Sequence, residues 1–592
     1  MQNFLRFLWH KICSITLISI IICICETPAY GKPQACAPAL QEGGIFMPQT
    51  TLILKNACIY TMDGRVEEAV AISGHKIAKV GSNQEMEAWQ GEHTRVIDLG
   101  GRTVVPGFND THTHLVGYGN SLRYVNLENC RSREEMCSRI KLFIEEKQIP
   151  AGEWVFGRGW NQNLFPDGGF PTKEDLDKVS NQHLILIIRT CGHVGIANTM
   201  ALADAKVTRE TYLPGGQFDK GEDGEPNGVI REAALEWFKK QRNPESARKE
   251  LKEAIIRGGE EMLRWGVTTV HTEDTYDLGY PGDFMDIYQA YQELAAEKKL
   301  PVRIYQKISL PTGKEIDEFL EGCSLRTGMG HDFYHIGPMK QWADGTMGAR
   351  TAGMKEPYSD APGNTGIYYY TDQQLYDNIR KAHCAGMQVC IHTIGDGALE
   401  QVLNAYERVL HDFPRENHRH RLVHGQVGNL ELYKKIAKLG LNINIQPAST
   451  STDIPIMEAR LGSRAKYCHA WRTLTDLGVN LNASSDIPVE TPNVFCGIYA
   501  IVTRKCLEHP DLAPWNPHEK VTVMEALKFY TINGAYAAFE ENIKGSITEG
   551  KLADLVILDR DPCAIDPEEL KEVQVDATIL GGEIVYQREE LR

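Results

Sequence analysis

Residues 104–115 read VVPGFNDTHTHL: an apolar pair, the turn dipeptide Pro106–Gly107, an acid, and then His112 and His114, one residue apart. VVPGFND predicts a short apolar strand ending in a turn. On an extended backbone residues i and i+2 point the same way, so both imidazoles can face one ion. Chance competes with that reading, since 19 histidines in 592 residues generate roughly 0.6 such pairs at random. His418 and His420, in ENHRHRLVHG, provide an internal control: their charged and amide neighbours predict a solvated turn leading into an apolar stretch, not a closed site.

Working outward, apolar strand-like runs closed by polar residues and followed by helix-like stretches occur at 104–110, 184–193, 266–274, 335–345, 387–396, 420–428, 441–450 and 479–488. Such a series predicts a parallel sheet with helical crossovers, and eight is the number that closes a barrel. The expected fold class is therefore α/β, a (β/α)8 TIM barrel over 105–545. That span exceeds the ~250 residues of a typical barrel, so insertions are expected, chiefly at 115–183 and 194–262. The flanks differ in texture: TLILKNACIYTMDG and EEAVAISGHKIAKVG at one end, GSITEGKLADLVILDRD and VDATILGGEIVYQ at the other, are short β-branched runs split by turn residues. They predict a β-sandwich made from both ends, 50–104 with 546–592.

Composition is that of an ordinary globular protein, and a net charge of -16 supplies no basic footprint for nucleic acid or anionic membranes. The expected partner is a small-molecule substrate. Residues 1–31 differ in kind: Arg6, His10 and Lys11 precede ICSITLISIIICIC, a run of fourteen without charge. A membrane-spanning helix needs ~20 apolar residues, so this length fits a cleaved secretory signal. The expectation is export to a periplasm with no stable membrane span after cleavage; an anchor left uncleaved is the alternative. Three of the 15 cysteines lie in that leader, and none of the rest forms C-x-x-C, so no disulfide framework can be read.

A barrel builds its site at the C-terminal ends of its strands. There the chain offers His112 and His114, then His193, Lys340, His392, His424 and Asp486. Imidazole and carboxylate are the ligands that zinc and related divalent ions accept. Four histidines and an aspartate exceed one tetrahedral shell and suffice for two ions if a bridging ligand is found. Other motifs fall away. HDFYH (331–335) lacks the glutamate of H-E-x-x-H, GEDGEPNG (221–228) is no phosphate loop, and no G-x-S-x-G elbow occurs. His271, beside Glu273 and Asp274, is a candidate supporting group. Trp154, Trp160, Phe165 and Phe170 could form an apolar lid or simply pack.

In series, PGFNDTHTH, CGHVGIAN, MKQWADGTMGARTAG, VCIHTIGDGA, LVHGQV, NIQP, LGSRAKYCHAWRTLTDLGV, ASSDIPVETPN and GKLADLVIL resemble the amidohydrolase superfamily, and more narrowly its third subgroup, which includes N-substituted formamide deformylases. The resemblance runs from about residue 50 to the end. It implies a divalent-metal barrel, with zinc as the expected ion, fused to a composite β-sandwich and hydrolysing a non-peptide C–N bond with water activated on the metal. It carries metal ligation onto His112, His114, His392, His424 and Asp486. Lys340 matches the lysine that, once carboxylated, bridges two metals; an unmodified Lys340 paired with Asp344 is the alternative. Asp486 is the implied general base and acid, and His193 the donor to the developing oxyanion. His193, Trp160 and Asn161 are expected near substrate. Cys191 and Asn161 depart from the family pattern, where acids are usual, so known specificities do not transfer. Two other functions remain open: a mononuclear deaminase of an aminated heterocycle, and an exported binding protein without catalysis.

Overall fold

The computed structural model describes residues 50–189, 194–240, 244–275, 283–509 and 511–589. Pro106–Gly107 joins two strands and does not end one. Thr103–Pro106 pairs antiparallel with Leu555–Leu558, whereas Phe108–Thr113 pairs parallel with Val267–Thr272. Gly107 has no room for a side chain at this crossing, because a Cβ there would lie 2.2 Å from Thr268 Oγ1.

Phe108–Thr113 is β1 of the barrel. It is followed by β2 (Val267–Thr272), β3 (Arg303–Ser309), β4 (Tyr334–Trp342), β5 (Val389–Thr393), β6 (Arg421–His424), β7 (Asn442–Ile445) and β8 (Asn480–Ala483), all parallel and paired in that order. The barrel nearly closes between β8 and β1. There Thr111 Oγ1 donates to Ala483 O, and past β8 Asp486 N–H donates to His112 O, each at 2.9 Å. Strands buried on both faces read as apolar runs, and helices cover the outside. The helix Asp396–Asp412 buries Leu399, Val402, Leu403, Tyr406 and Val409 along one stripe. Thr371 with Gln374 and Thr312 with Glu315 form capping boxes that fix where two other helices begin.

The expected second barrel strand, 184–193, is a correction. Leu184–Arg189 belongs to a six-stranded sheet inserted between β1 and β2, in the order Gly216–Lys220, Pro226–Glu232, Val194–Ala197, Leu184–Arg189, Trp154–Trp160, Tyr124–Asn126. Both faces of this sheet are covered, with Val155, Trp160 and Ile185 in one core and Trp154, Phe156 and Leu186 in the other. An apolar run is equally at home in either sheet, so its pattern could not decide. The true third strand, RIYQKIS, escaped notice because Arg303, Gln306 and Lys307 break its apolar pattern. All three are buried.

Among the described residues, the N-terminal and C-terminal parts share one sheet, ordered Glu583–Gln587, Val575–Leu580, Leu555–Leu558, Thr103–Pro106, Cys58–Tyr60, Val66–Glu67. It packs on a four-stranded sheet from the N-terminal part through a core that includes Leu52, Ile59, Val70, Ile97, Ile557 and Ile579. Arg303 ties the barrel to this sandwich by a buried two-pronged bridge to Asp554, at 2.7 and 2.9 Å. Among the described residues every cysteine is a free thiol, and no helix is long and apolar enough to cross a membrane. Residues 1–31, where a cleaved signal is expected, lie outside the described residues.

Candidate metal centre

His112 lies within β1 and His114 directly after it, so their rings take the same side of an extended segment, as the spacing predicts. In register, β4 residue Trp342 pairs with His392, and β5 residue Thr393 with His424. Asp486 follows β8. The two imidazole Nε2 atoms face Asp486 Oδ1 at 3.4 Å (His112) and 3.3 Å (His114). One donor atom from each of these residues lies within 4.8 Å of the others. His424 adjoins them, its ring centroid 5.9 Å from that of His112 and 4.5 Å from that of His392. Lys340 is fully buried in β4, and its charge acts on His112, His392, His424 and Asp486.

The far nitrogen of each ring is already committed. His114 Nδ1–H donates to Glu273 O at 2.8 Å, His424 Nδ1–H to Gln446 Oε1 at 2.7 Å, and His392 Nε2–H to Gly345 O at 3.2 Å. His112 Nδ1 meets Lys307 Nζ at 2.5 Å. In His392 and His424 this fixes the tautomer and leaves the other nitrogen with its lone pair, the arrangement that backs metal-bound imidazoles. Asp486 Oδ1 is buried without a hydrogen-bonding partner. A divalent ion therefore fits this set: imidazole nitrogens gathered beside a buried carboxylate oxygen.

Electrostatics agree. Burial, then the charges of Lys307 and Lys340, holds His112 far below the ordinary imidazole range, and burial brings His392 down to about 3. Burial also opposes charge on His114, but Asp486 and Glu273 outweigh it and raise the ring to about 10. Asp486 stays below its usual value, since its contact with the His114 ring and the charges of His424 and His114 overcome its burial. The positive charge that His114 carries beside Asp486 is charge that a bound cation would supply instead.

Surrounding groups hold the frame. Asp110, in β1, accepts from Ser485 N–H at 3.1 Å and Ser485 Oγ at 2.5 Å, which sets the turn that presents Asp486. Asp486 (φ 59°) and His424 (φ 73°) both adopt left-handed backbone, a strained conformation that concentrates at functional sites. Asp344 is spent on the main-chain amides of Gly353, Ile394 and Gly395, at 2.9, 3.0 and 2.7 Å.

His193 and Cys191 lie outside the described residues. Trp160 is wholly inside the core of the inserted sheet, its ring 5.7 Å from Phe170, so it packs where a substrate contact was expected. Asn161 caps a short helix and accepts from Arg189 Nη2 at 3.1 Å. His271 contacts Arg421 Nη1 at 2.8 Å instead of backing a site histidine. The control pair is also corrected: His418 and His420 are buried. Lys307, Glu273 and Gln446 were missed as supporting groups. A charged or amide residue at or near the end of a strand is the signal that could have found them.

An eight-stranded parallel barrel whose C-terminal mouth gathers imidazoles and a carboxylate is the architecture of a metal-dependent barrel hydrolase. The chain belongs to the Amidohydrolase family, whose profile matches residues 95–586. It is 34% identical over 536 residues, 90% of this chain and 98% of the relative, to the protein YtcJ of Bacillus subtilis (strain 168). It is 27% identical over 552 residues, 91% and 98% of the two chains, to the N-substituted formamide deformylase of Arthrobacter pascens. Among solved structures, an uncharacterized metal-dependent hydrolase from Pyrococcus furiosus superposes with a TM-score of 0.69 at 28% identity, covering 86% of this chain and 99% of that one.

Proposed function

We propose that this hydrolase cleaves a C–N bond other than a peptide bond, in an amide, formamide or cyclic amide of a small molecule. It would use a divalent ion, zinc in the first instance, held by His112, His114, His392, His424 and Asp486. The observation that carries the reading is the pair of imidazoles, His112 and His114, whose Nε2 atoms face the buried Asp486 oxygen, with His424 and then His392 beside them. Similarity to a formamide deformylase over nearly the whole chain supports the bond class. Family resemblance supports a carboxylated Lys340 as a bridge when two ions are bound. Export to a periplasm is part of the same proposal, supported by the basic start and uncharged run of residues 1–25.

A divalent ion in such a site supplies Lewis acidity, bringing the pKa of water from about 15.7 to about 7. The chain supplies the rest. Asp486, ionised at neutral pH, takes a proton at a carboxylate oxygen from the attacking water and returns it to the leaving nitrogen, as general base and then acid. Glu273 O, Gln446 and Gly345 O hold the rings in place, and His193 is proposed to donate to the oxygen that gains charge. The test is metal analysis of the purified protein, followed by a screen of formamides, N-acyl amines, cyclic imides and aminated heterocycles for released amine or ammonia. Metal-dependent release of an amine from an amide or formamide is expected. Turnover of aminated heterocycles alone would replace this reading with a deaminase, and metal-free protein of full activity would end it.

A further inference from the structure

Three of the four site histidines rest their far nitrogen on an oxygen acceptor. His112 does not: its Nδ1 rests on an amine, Lys307 Nζ, at 2.5 Å. Lys307 stands within β3 and is only 1% exposed. Among the described residues its side-chain partner is this ring and not a carboxylate. Nε2 can hold a cation only if the ring hydrogen sits on Nδ1, so in the metal centre Nδ1–H donates to Lys307 Nζ, which accepts as an amine. What the position does provide is reach, because a nitrogen on a four-carbon stem extends from β3 to a ring on β1. With Nδ1 committed to that nitrogen, Nε2 is the ring atom left to face Asp486, 3.4 Å away.

We propose that Lys307 is a positioning residue for the metal centre, pinning His112 so that Nε2 points at the cation site. The proposal rests on the metal reading above. A methionine at 307 would fill similar space without a hydrogen bond, and a glutamine would restore a polar partner. The experiment uses the full chain stripped of metal, as wild type, Lys307→Met and Lys307→Gln. Zinc affinity is read by competition with a chelating dye, the visible absorption of the Co(II) form reports ligand geometry, and the melting temperature is read without metal.

Lys307→Met is expected to melt at or above wild type when metal-free, since it replaces a polar group whose burial is costly by an apolar one of similar size. It should nevertheless bind zinc about 10- to 100-fold more weakly, the usual effect of losing a group that backs a ligand. Its Co(II) spectrum should shift, and Lys307→Gln should recover part of the affinity. A methionine variant with wild-type affinity and spectrum overturns the proposal alone. So does a loss of affinity that merely tracks a fall in melting temperature in both variants. Wild type that takes up neither ion stoichiometrically sinks the metal reading first, and this proposal with it.

Discussion

His112–Thr113–His114 and His418–Arg419–His420 share one spacing, and β6 touches both environments, with His420 just before its first residue and His424 at its last. In the second pair the chain consumes every ring nitrogen. His420 Nδ1 accepts from Val389 N–H at 3.0 Å, its Nε2–H donates to His383 Nδ1 at 2.9 Å, and His383 Nε2–H donates to Phe413 O at 2.8 Å. His418 accepts from His420 N–H and donates to Leu439 O, both at 3.0 Å. In the first pair each ring spends Nδ1, on Lys307 Nζ or Glu273 O, and turns Nε2 toward Asp486. Spacing is therefore silent about chemistry; ring nitrogens left facing a buried carboxylate distinguish a ligand set from a structural cluster.

The largest effect that sharpens this contrast is expected at Asp486. Asp486→Asn should keep the fold by circular dichroism yet lower turnover about 10²- to 10⁴-fold, the range for removing a general acid–base group. A near-normal rate would take Asp486 out of the mechanism. Next, His112→Ala should lose stoichiometric metal by elemental analysis. His420→Ala should retain the metal but lose about 1–3 kcal/mol of stability in urea, from hydrogen-bonding groups left unpaired. The opposite pattern would break the comparison.

Acid should separate the clusters further. Burial holds His418 down to about 4 and keeps His383 and His420 below their ordinary value. The unfolded chain takes up these protons near pH 6.5. Stability from the cluster is thus fully present above that pH and lost as pH falls toward 4, by at most about 1.4 kcal/mol per pH unit for each ring. Urea midpoints at pH 7.5, 6 and 5 should show a shallower decline for His420→Gln than for wild type; equal slopes would contradict neutral burial. The smallest effect is expected at His331, which is exposed. His331→Ala should leave metal content unaltered and stability within about 0.5 kcal/mol.

The barrel was legible because buried parallel strands write themselves as apolar runs, and the candidate ligands because barrel chemistry collects where those runs end. His112, His114, His392, His424 and Asp486 follow from that rule. The failures share one cause. β3 hides behind Arg303, Gln306 and Lys307, whose polar groups find partners only in three dimensions, in Asp554, Tyr334 and His112. Charged neighbours made His418 and His420 look solvated, yet Arg421 is itself buried against His271 and Ala537 O, and Arg419 pairs with Glu541. Trp160 left lid and packing both open because an aromatic side chain looks the same in a core and over a pocket; it packs.

X-ray diffraction from crystals of the zinc-loaded protein, with data on either side of the zinc absorption edge, would locate the cation directly. The predicted result is an anomalous peak about 2.0–2.2 Å from His112 Nε2, His114 Nε2 and an Asp486 oxygen. A peak elsewhere, or none despite stoichiometric zinc in solution, would contradict a shared cation at the mouth of the barrel.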